Sequence, residues 1–137
     1  MSSTPQFKKI WEVNPLSKEV VDAAVRVHTR LGPGLLESAY EGCLPQELRL
    51  RGLRVQTQVA LPVFYEGVKI DVGYRIDLMV EDLIVIEVNS VETLLPVHEA
   101  QIITYLKLSE KRLGFLMNFN VRLMKEGLRR FANGMPS

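Results

Sequence analysis

Residues 75–88, RIDLMVEDLIVIEV, leave the chain one local arrangement. Two runs rich in aliphatic and β-branched side chains are separated only by Glu81-Asp82. That is too short for a crossover, so the runs must fold back as antiparallel neighbours. Side chains alternate along a strand, which sends Ile84, Ile86 and Val88 to one face and Val85, Glu87 and Asn89 to the other. In the preceding strand Arg75 and Asp77 share a face by the same rule. One side of this pair is a continuous apolar surface, and the other holds groups that an ordinary core does not bury.

The short turn brings Asp77 towards Glu87. Two neighbouring carboxylates are costly unless a cation, a proton or a hydrogen-bond donor compensates them. Mg²⁺ suits such a pair because it prefers hard oxygen ligands and retains water. The plain structural alternative pairs Glu87 with Arg75 and lets Asp77 accept backbone hydrogen bonds near the turn.

The flanking segments place this pair in a layered fold. Residues 18–30 have the periodicity of a surface helix that stops before Leu31-Gly32-Pro33-Gly34. A second helical segment runs from near Gly34 towards Leu50, with a kink or break expected at residues 41–45 because Pro45 removes a donor. From Val55, two long strands over 55–67 and 68–81 are joined by a turn at Glu66-Gly67, and the second of them is the first member of the pair already described. A helix over 97–108, a strand over 114–120 and a short helix from about Met124 to Phe131 complete the order. This is an α/β arrangement, with a mixed central β-sheet flanked by helices. A single domain is expected over 18–131, with an N-terminal extension at 1–17 and a tail at 132–137.

Two helices add polar exceptions. Glu37, Tyr40 and Leu44 lie three or four residues apart, so Glu37 stands close to an apolar helix side. His98, Gln101 and Tyr105 share a face of the later helix, where Gln101 and Tyr105 could orient a phosphate or water, or pack with satisfied polar tips. His28 suits a helix C-terminus and His98 a local cap after Pro96. An oxygen-rich site fits these residues better than a two-histidine zinc centre.

Composition narrows the classes further. With 47% apolar and 24% charged residues, the chain has a globular rather than disordered balance. No apolar run approaches the ~18 residues of a membrane span. The opening MSSTPQFKK lacks a signal-peptide core, which points to the cytoplasm. The lone Cys43 excludes an intrachain disulfide framework. A net charge of +1 supplies no broad basic field, so nucleic-acid binding would need local patches. Arg49, Arg51, Arg54, Lys107, Lys111, Arg112, Arg129 and Arg130 could form them, or be ordinary surface cations.

The stretch Gly34-Leu-Leu-Glu37-Ser-Ala-Tyr40 resembles the signature of the GxxExxY protein family. VHTRLGPGLLESAYEGCL, GYRIDLMVEDLIVIEV and PVHEAQIITYL follow that family's order, and the resemblance covers roughly residues 18–131. The family in turn resembles the PD-(D/E)xK, restriction-endonuclease-like nuclease superfamily. That resemblance implies a mixed sheet flanked by helices and DNA phosphodiester hydrolysis with Mg²⁺ or Mn²⁺. Under it, Glu37 corresponds to the helix-borne acid, Asp77 to the first strand acid and Glu87 to the acid of E-x-K. Gln101 and Tyr105 are similar to the Q-x-x-x-Y element of the lambda-exonuclease and RecB-like branch. Asp77, Glu87, Glu37 and the Val88 carbonyl are then the metal ligands.

Asn89 departs from that pattern, which has lysine two residues after the acid. Asparagine donates hydrogen bonds but carries no positive charge. Arg75 is the expected substitute cation, ahead of Lys69, although arginine cannot replace a titrating lysine base. The alternatives are an impaired nuclease fold that binds nucleic acid or a protein partner, and a structural or oligomeric α/β domain, a homodimer being one such form.

Overall fold

The computed structural model describes residues 13–134. Its central sheet has five strands in the order β1-β4-β5-β6-β7. These are β1 (Val55–Ala60), β4 (Arg75–Val80), β5 (Ile84–Asn89), β6 (Leu113–Asn118) and β7 (Leu128–Ala132). β5 and β6 run parallel and the other neighbours antiparallel, so the sheet is mixed as expected. β4 and β5 meet across a tight turn in which Glu81 and Asp82 have φ of 52° and 57°. The buried Glu81 carboxylate stabilises that unusual backbone by accepting the Arg54 N–H at 2.6 Å.

The two long strands expected over 55–67 and 68–81 are each interrupted, the first into β1 and β2 (Val63–Tyr65) and the second into β3 (Val68–Ile70) and β4. β1 ends before Leu61-Pro62, and β2 pairs with β3 in a separate two-stranded hairpin. Pro62 has no N–H to give a ladder, which explains the departure from the main sheet. The Glu66-Gly67 turn is where the sequence places it, with both residues at positive φ.

Three helices cover the sheet. α1 (Val13–Leu31) starts five residues earlier than its periodicity suggests, with Val13 and Leu16 buried in the core. Residues 1–12 of the expected extension and 135–137 of the expected tail lie outside the described residues. α2 (Glu37–Leu50) passes through Pro45 without the expected break. Tyr40 and Leu44 before the proline and Leu48 after it are all fully buried, so packing holds both halves to one core. α3 (Pro96–Ser109) connects the parallel strands β5 and β6. His98 caps it, its Nδ1 accepting the Leu95 N–H at 2.8 Å.

The core has two layers. α1 and α2 bury Leu16, Val20, Tyr40 and Leu44 against Leu78, Val80, Ile84 and Ile86. Tyr105 and Leu106 of α3 pack with Met79, Val85 and Ile76 in the other cluster. Gly114 brings α3 close, because a Cβ there would lie 3.1 Å from Ile102 and 3.2 Å from Leu106.

The helix expected over 124–131 is replaced by a single 3₁₀ turn, Met124–Gly127, followed by β7. β6 is buried along its whole length, and its outer edge would otherwise leave N–H and C=O groups unpaired. β7 supplies those partners from Leu113↔Ala132 to Met117↔Leu128.

Candidate metal and phosphate site

The site begins where the sheet opens. β4 and β5 pair from Val80↔Ile84 to Leu78↔Ile86, and the next opposing positions are Asp77 and Glu87. There the side chains replace the ladder: the Asp77 N–H donates to Glu87 Oε2 and the Val88 N–H donates to Asp77 Oδ2, both at 2.9 Å. A strand residue's N–H and C=O project from the same side, so the Val88 carbonyl also faces the opening. The β1–β4 ladder skips the same row, at Gln58, whose φ is 52°.

Regular alternation fails at this point. Leu78 and Val80 pack beneath α1 and α2, and strict alternation would put Ile76 with them. Ile76 instead joins Met79 and Tyr105 in the opposite cluster. The shared face expected for Arg75 and Asp77 does not bring their charges together. Arg75 is exposed, its guanidinium donates to the Tyr74 carbonyl at 3.1 Å, and it forms no ion pair among the described residues.

α2 delivers two further acids. Glu37, Glu41 and Asp77 each offer a carboxylate oxygen within 4.8 Å of the others. The turn before α2 fixes this approach. Gly32 and Gly34 adopt φ of 72° and 95°, which suits glycine. The Tyr40 hydroxyl donates to the Gly32 carbonyl at 2.6 Å and accepts the Leu35 N–H at 3.2 Å. Ser90, just past β5, donates to the Leu35 carbonyl at 2.7 Å. Tyr40 itself is buried and stacked on Phe119 at 4.6 Å. Within Gly34-x-x-Glu37-x-x-Tyr40, the tyrosine therefore holds the loop and the glutamate faces the acids.

Glu41 and Gln58 are site residues that strand and motif reasoning overlooks. Glu41 was detectable as the i+4 neighbour of Glu37 on one helix side. Gln58 carries no such signal, because its position follows from the interrupted ladder.

Burial dominates the electrostatics. Only 7% of Glu87 is exposed. Burial first, then the Asp77 carboxylate, pushes Glu87 up to about 8, against the opposing Asp77 N–H bond. Burial also raises Glu41 to about 7, reinforced by Asp77 and by a hydrogen bond and charge from Glu37. Asp77 is raised by burial and Glu37, with the Val88 N–H and the Gln58 side chain working against the shift. No cation contributes to any of the three shifts. The acids compensate one another only through protons and neutral donors.

Gln101 and Tyr105 are paired as their spacing suggests, with Gln101 Nε2 donating to the Tyr105 hydroxyl at 3.0 Å. Tyr105 is raised by burial, opposed by Gln101, and it senses the charges of Glu87 and Asp77. Asn89 continues β5 opposite Asn118, and its backbone carbonyl accepts the Phe119 N–H at 3.0 Å. The Asn89 amide side chain is partly exposed and has no hydrogen-bond partner among the described residues. His28 is structural, with Nε2 2.7 Å from the Val121 carbonyl.

The polar cleft beside Asp77 has a volume of about 320 Å³ and is lined by Glu41, Gly42, Pro45, Arg49, Thr57, Gln58 and Asp77. The donor set is hard oxygen, which fits Mg²⁺ or Mn²⁺ and offers nothing to thiolate-preferring metals. Among the described residues, no helix is long and apolar enough to cross a membrane.

No curated protein and no solved structure matches the chain. A family model described as the PD-(D/E)XK nuclease superfamily matches residues 14–131. That span includes both acid-bearing strands, α2 and α3, and reaches nearly to both ends of the described fold. On that extent, the chain belongs to the PD-(D/E)XK nuclease superfamily.

Proposed function

We propose that this protein is a divalent-metal-dependent nuclease that hydrolyses DNA phosphodiester bonds in the cleft beside Asp77. The observation that carries the reading is the convergence of Glu37, Glu41, Asp77 and Glu87 where the sheet ladder opens, without a compensating cation. Glu37, Glu41 and Asp77 would hold Mg²⁺ or Mn²⁺, with the Val88 carbonyl and Glu87 completing the oxygen-rich wall. Bound there, the ion supplies Lewis acidity towards a phosphoryl oxygen.

The chain's own groups divide the remaining work. Glu87 Oε2 is occupied by the Asp77 N–H, so Oε1 would accept a proton from attacking water once a bound cation has favoured ionisation of a carboxyl that burial otherwise keeps protonated up to about 8. The Gln101–Tyr105 pair, which lines a neighbouring cavity with Tyr74 and His98 and feels the charges of Glu87 and Asp77, would orient water or phosphate from the α3 side. Asn89 contributes neutral donors where lysine would contribute charge. The GxxExxY signature supports a finer placement within the superfamily, because its Glu37 joins the acids and its Tyr40 fixes the loop.

Cleavage of linear and circular, single- and double-stranded DNA with Mn²⁺ or Mg²⁺ tests the proposal. Wild type should cleave at least one form, EDTA should stop it, and Asp77→Asn should lose roughly 100-fold or more. Cleavage that survives Asp77→Asn unchanged would overturn the assignment. Asn89 favours a second reading, in which the fold binds nucleic acid or a protein partner without turnover. Metal-dependent DNA binding with no product would select it.

A further inference from the structure

We infer that Arg49, rather than Arg75, supplies the positive charge that β5 lacks at Asn89, by holding a non-bridging oxygen of the phosphodiester in the cleft between α2 and β1. The inference rests on the nuclease reading and specifies the side from which substrate enters.

Arg49 lines the same cavity as Glu41, Thr57, Gln58 and Asp77. Its Nη2 donates to the Val55 carbonyl at 2.9 Å, which tethers an otherwise exposed guanidinium at the end of α2. A tethered arginine loses less freedom on binding, and its remaining N–H groups match a phosphate in a planar fork. Three of the other candidate phosphate contacts are already engaged by acids: Arg51 with Glu47 and Glu19, Arg54 with Glu81, and Lys111 with Asp82. Arg49 has no such ion pair among the described residues. Arg75 is also free of acids, but it does not line this cavity.

The cavity thus joins carboxylates suited to a cation and a guanidinium suited to an anion. A phosphodiester oxygen held by the guanidinium, next to a cation held by the carboxylates, would satisfy both. The lining also includes Gly42, which has no bulky side chain, and Pro45, whose missing N–H leaves the Glu41 carbonyl without its usual helical donor.

Wild type, Arg49→Gln, Arg49→Lys and Arg75→Gln should be compared by fluorescence anisotropy with short labelled duplex and single-stranded DNA. Ca²⁺ serves as the binding probe, and single-turnover cleavage follows in Mn²⁺. Arg49→Gln should weaken binding or cleavage at least tenfold and reduce the slope of log K against log salt by about 0.7–0.9, as loss of one phosphate contact requires. Arg49→Lys should keep the slope while losing part of the affinity, a result that mere loss of the Val55 tether would not give. Thermal midpoints of each variant separate misfolding from lost contact. If wild type binds DNA and Arg49→Gln keeps both affinity and slope, the inference is overturned while the nuclease reading stands. Loss confined to Arg75→Gln would also overturn it. Failure of wild type both to bind and to cleave removes the nuclease reading, and the inference with it.

Discussion

Glu87 is held in place by one hydrogen bond to its Oε2 and by burial among other acids. Its folded pKa of about 8 lies above the ordinary value of 4.5. Between those values the folded protein keeps a proton that the unfolded chain has released, so metal-free stability falls as pH rises through the window. Allowing for partial solvent screening, the effect should be on the order of 2–3 kcal/mol, or about 5–10 °C in Tm. Glu87→Gln keeps an acceptor for the Asp77 N–H but cannot ionise. Thermal unfolding in EDTA from pH 5 to 8.5 should therefore show a flatter profile for Glu87→Gln than for wild type. Parallel profiles would mean that Glu87 ionises normally. Asn89→Lys makes a separate prediction. Lysine would extend from the strand position two residues beyond Glu87, and Mn²⁺-dependent single-turnover cleavage should rise about tenfold or more. Combining it with Glu87→Gln should abolish the gain. No gain in a folded, metal-binding Asn89→Lys protein would show that the missing lysine is not the block. At this scale, Asp77 and Glu87 were legible because the two-residue separation dictates antiparallel pairing. Gln58 was not, since local alternation says nothing about a ladder that opens.

β7 shows what element-scale reasoning from sequence can and cannot resolve. Leu128 and Phe131 sit three residues apart, a spacing that fits a helix turn as well as a strand. The choice is made by β6, whose open edge requires a partner, and by Gly127 at the entry to β7. A Cβ on Gly127 would collide with the backbone carbonyl of Asn118. Gly127→Ala should therefore destabilise the protein by roughly 2 kcal/mol or more, measured by denaturant unfolding. A change under about 0.5 kcal/mol would mean that the turn relaxes freely. Asn118 itself ties β6 to the segment after β5: its Oδ1 accepts the Val91 N–H at 3.0 Å, and its Nδ2 donates to the Val91 carbonyl at 2.9 Å. Asn118→Leu removes the side-chain partner of the Val91 N–H and leaves the Val91 carbonyl only the longer bond from Asn120 at 3.4 Å, and should cost about 1–3 kcal/mol. Faster hydrogen exchange around Val91 would identify the mechanism. The α2 break failed as an expectation for a related reason. Pro45 removes one helical bond, while Tyr40, Leu44 and Leu48 anchor the helix on both sides of it.

For the whole molecule, the arrangement of helices on both faces of a mixed sheet follows from strand and helix periodicity. The central site depends on long-range placement: α2 approaches the sheet where both ladders around β4 skip a row. The short turn linked Asp77 with Glu87 and the family resemblance added Glu37, whereas Glu41 and Arg49 joined the cleft only once the layers were assembled. The net charge of +1 offers little long-range attraction for nucleic acid, so affinity must come from the cleft and its few local cations. The central claim is that these acids form a divalent-cation site. Calorimetric titration of Mn²⁺ into wild type, Asp77→Asn and Glu87→Gln at pH 7.5, in two buffers of different ionisation enthalpy, tests it directly. Wild type should bind Mn²⁺ with proton release, and both variants should bind at least tenfold more weakly while remaining folded. Equal affinity in all three proteins, or no binding by wild type, would contradict the account.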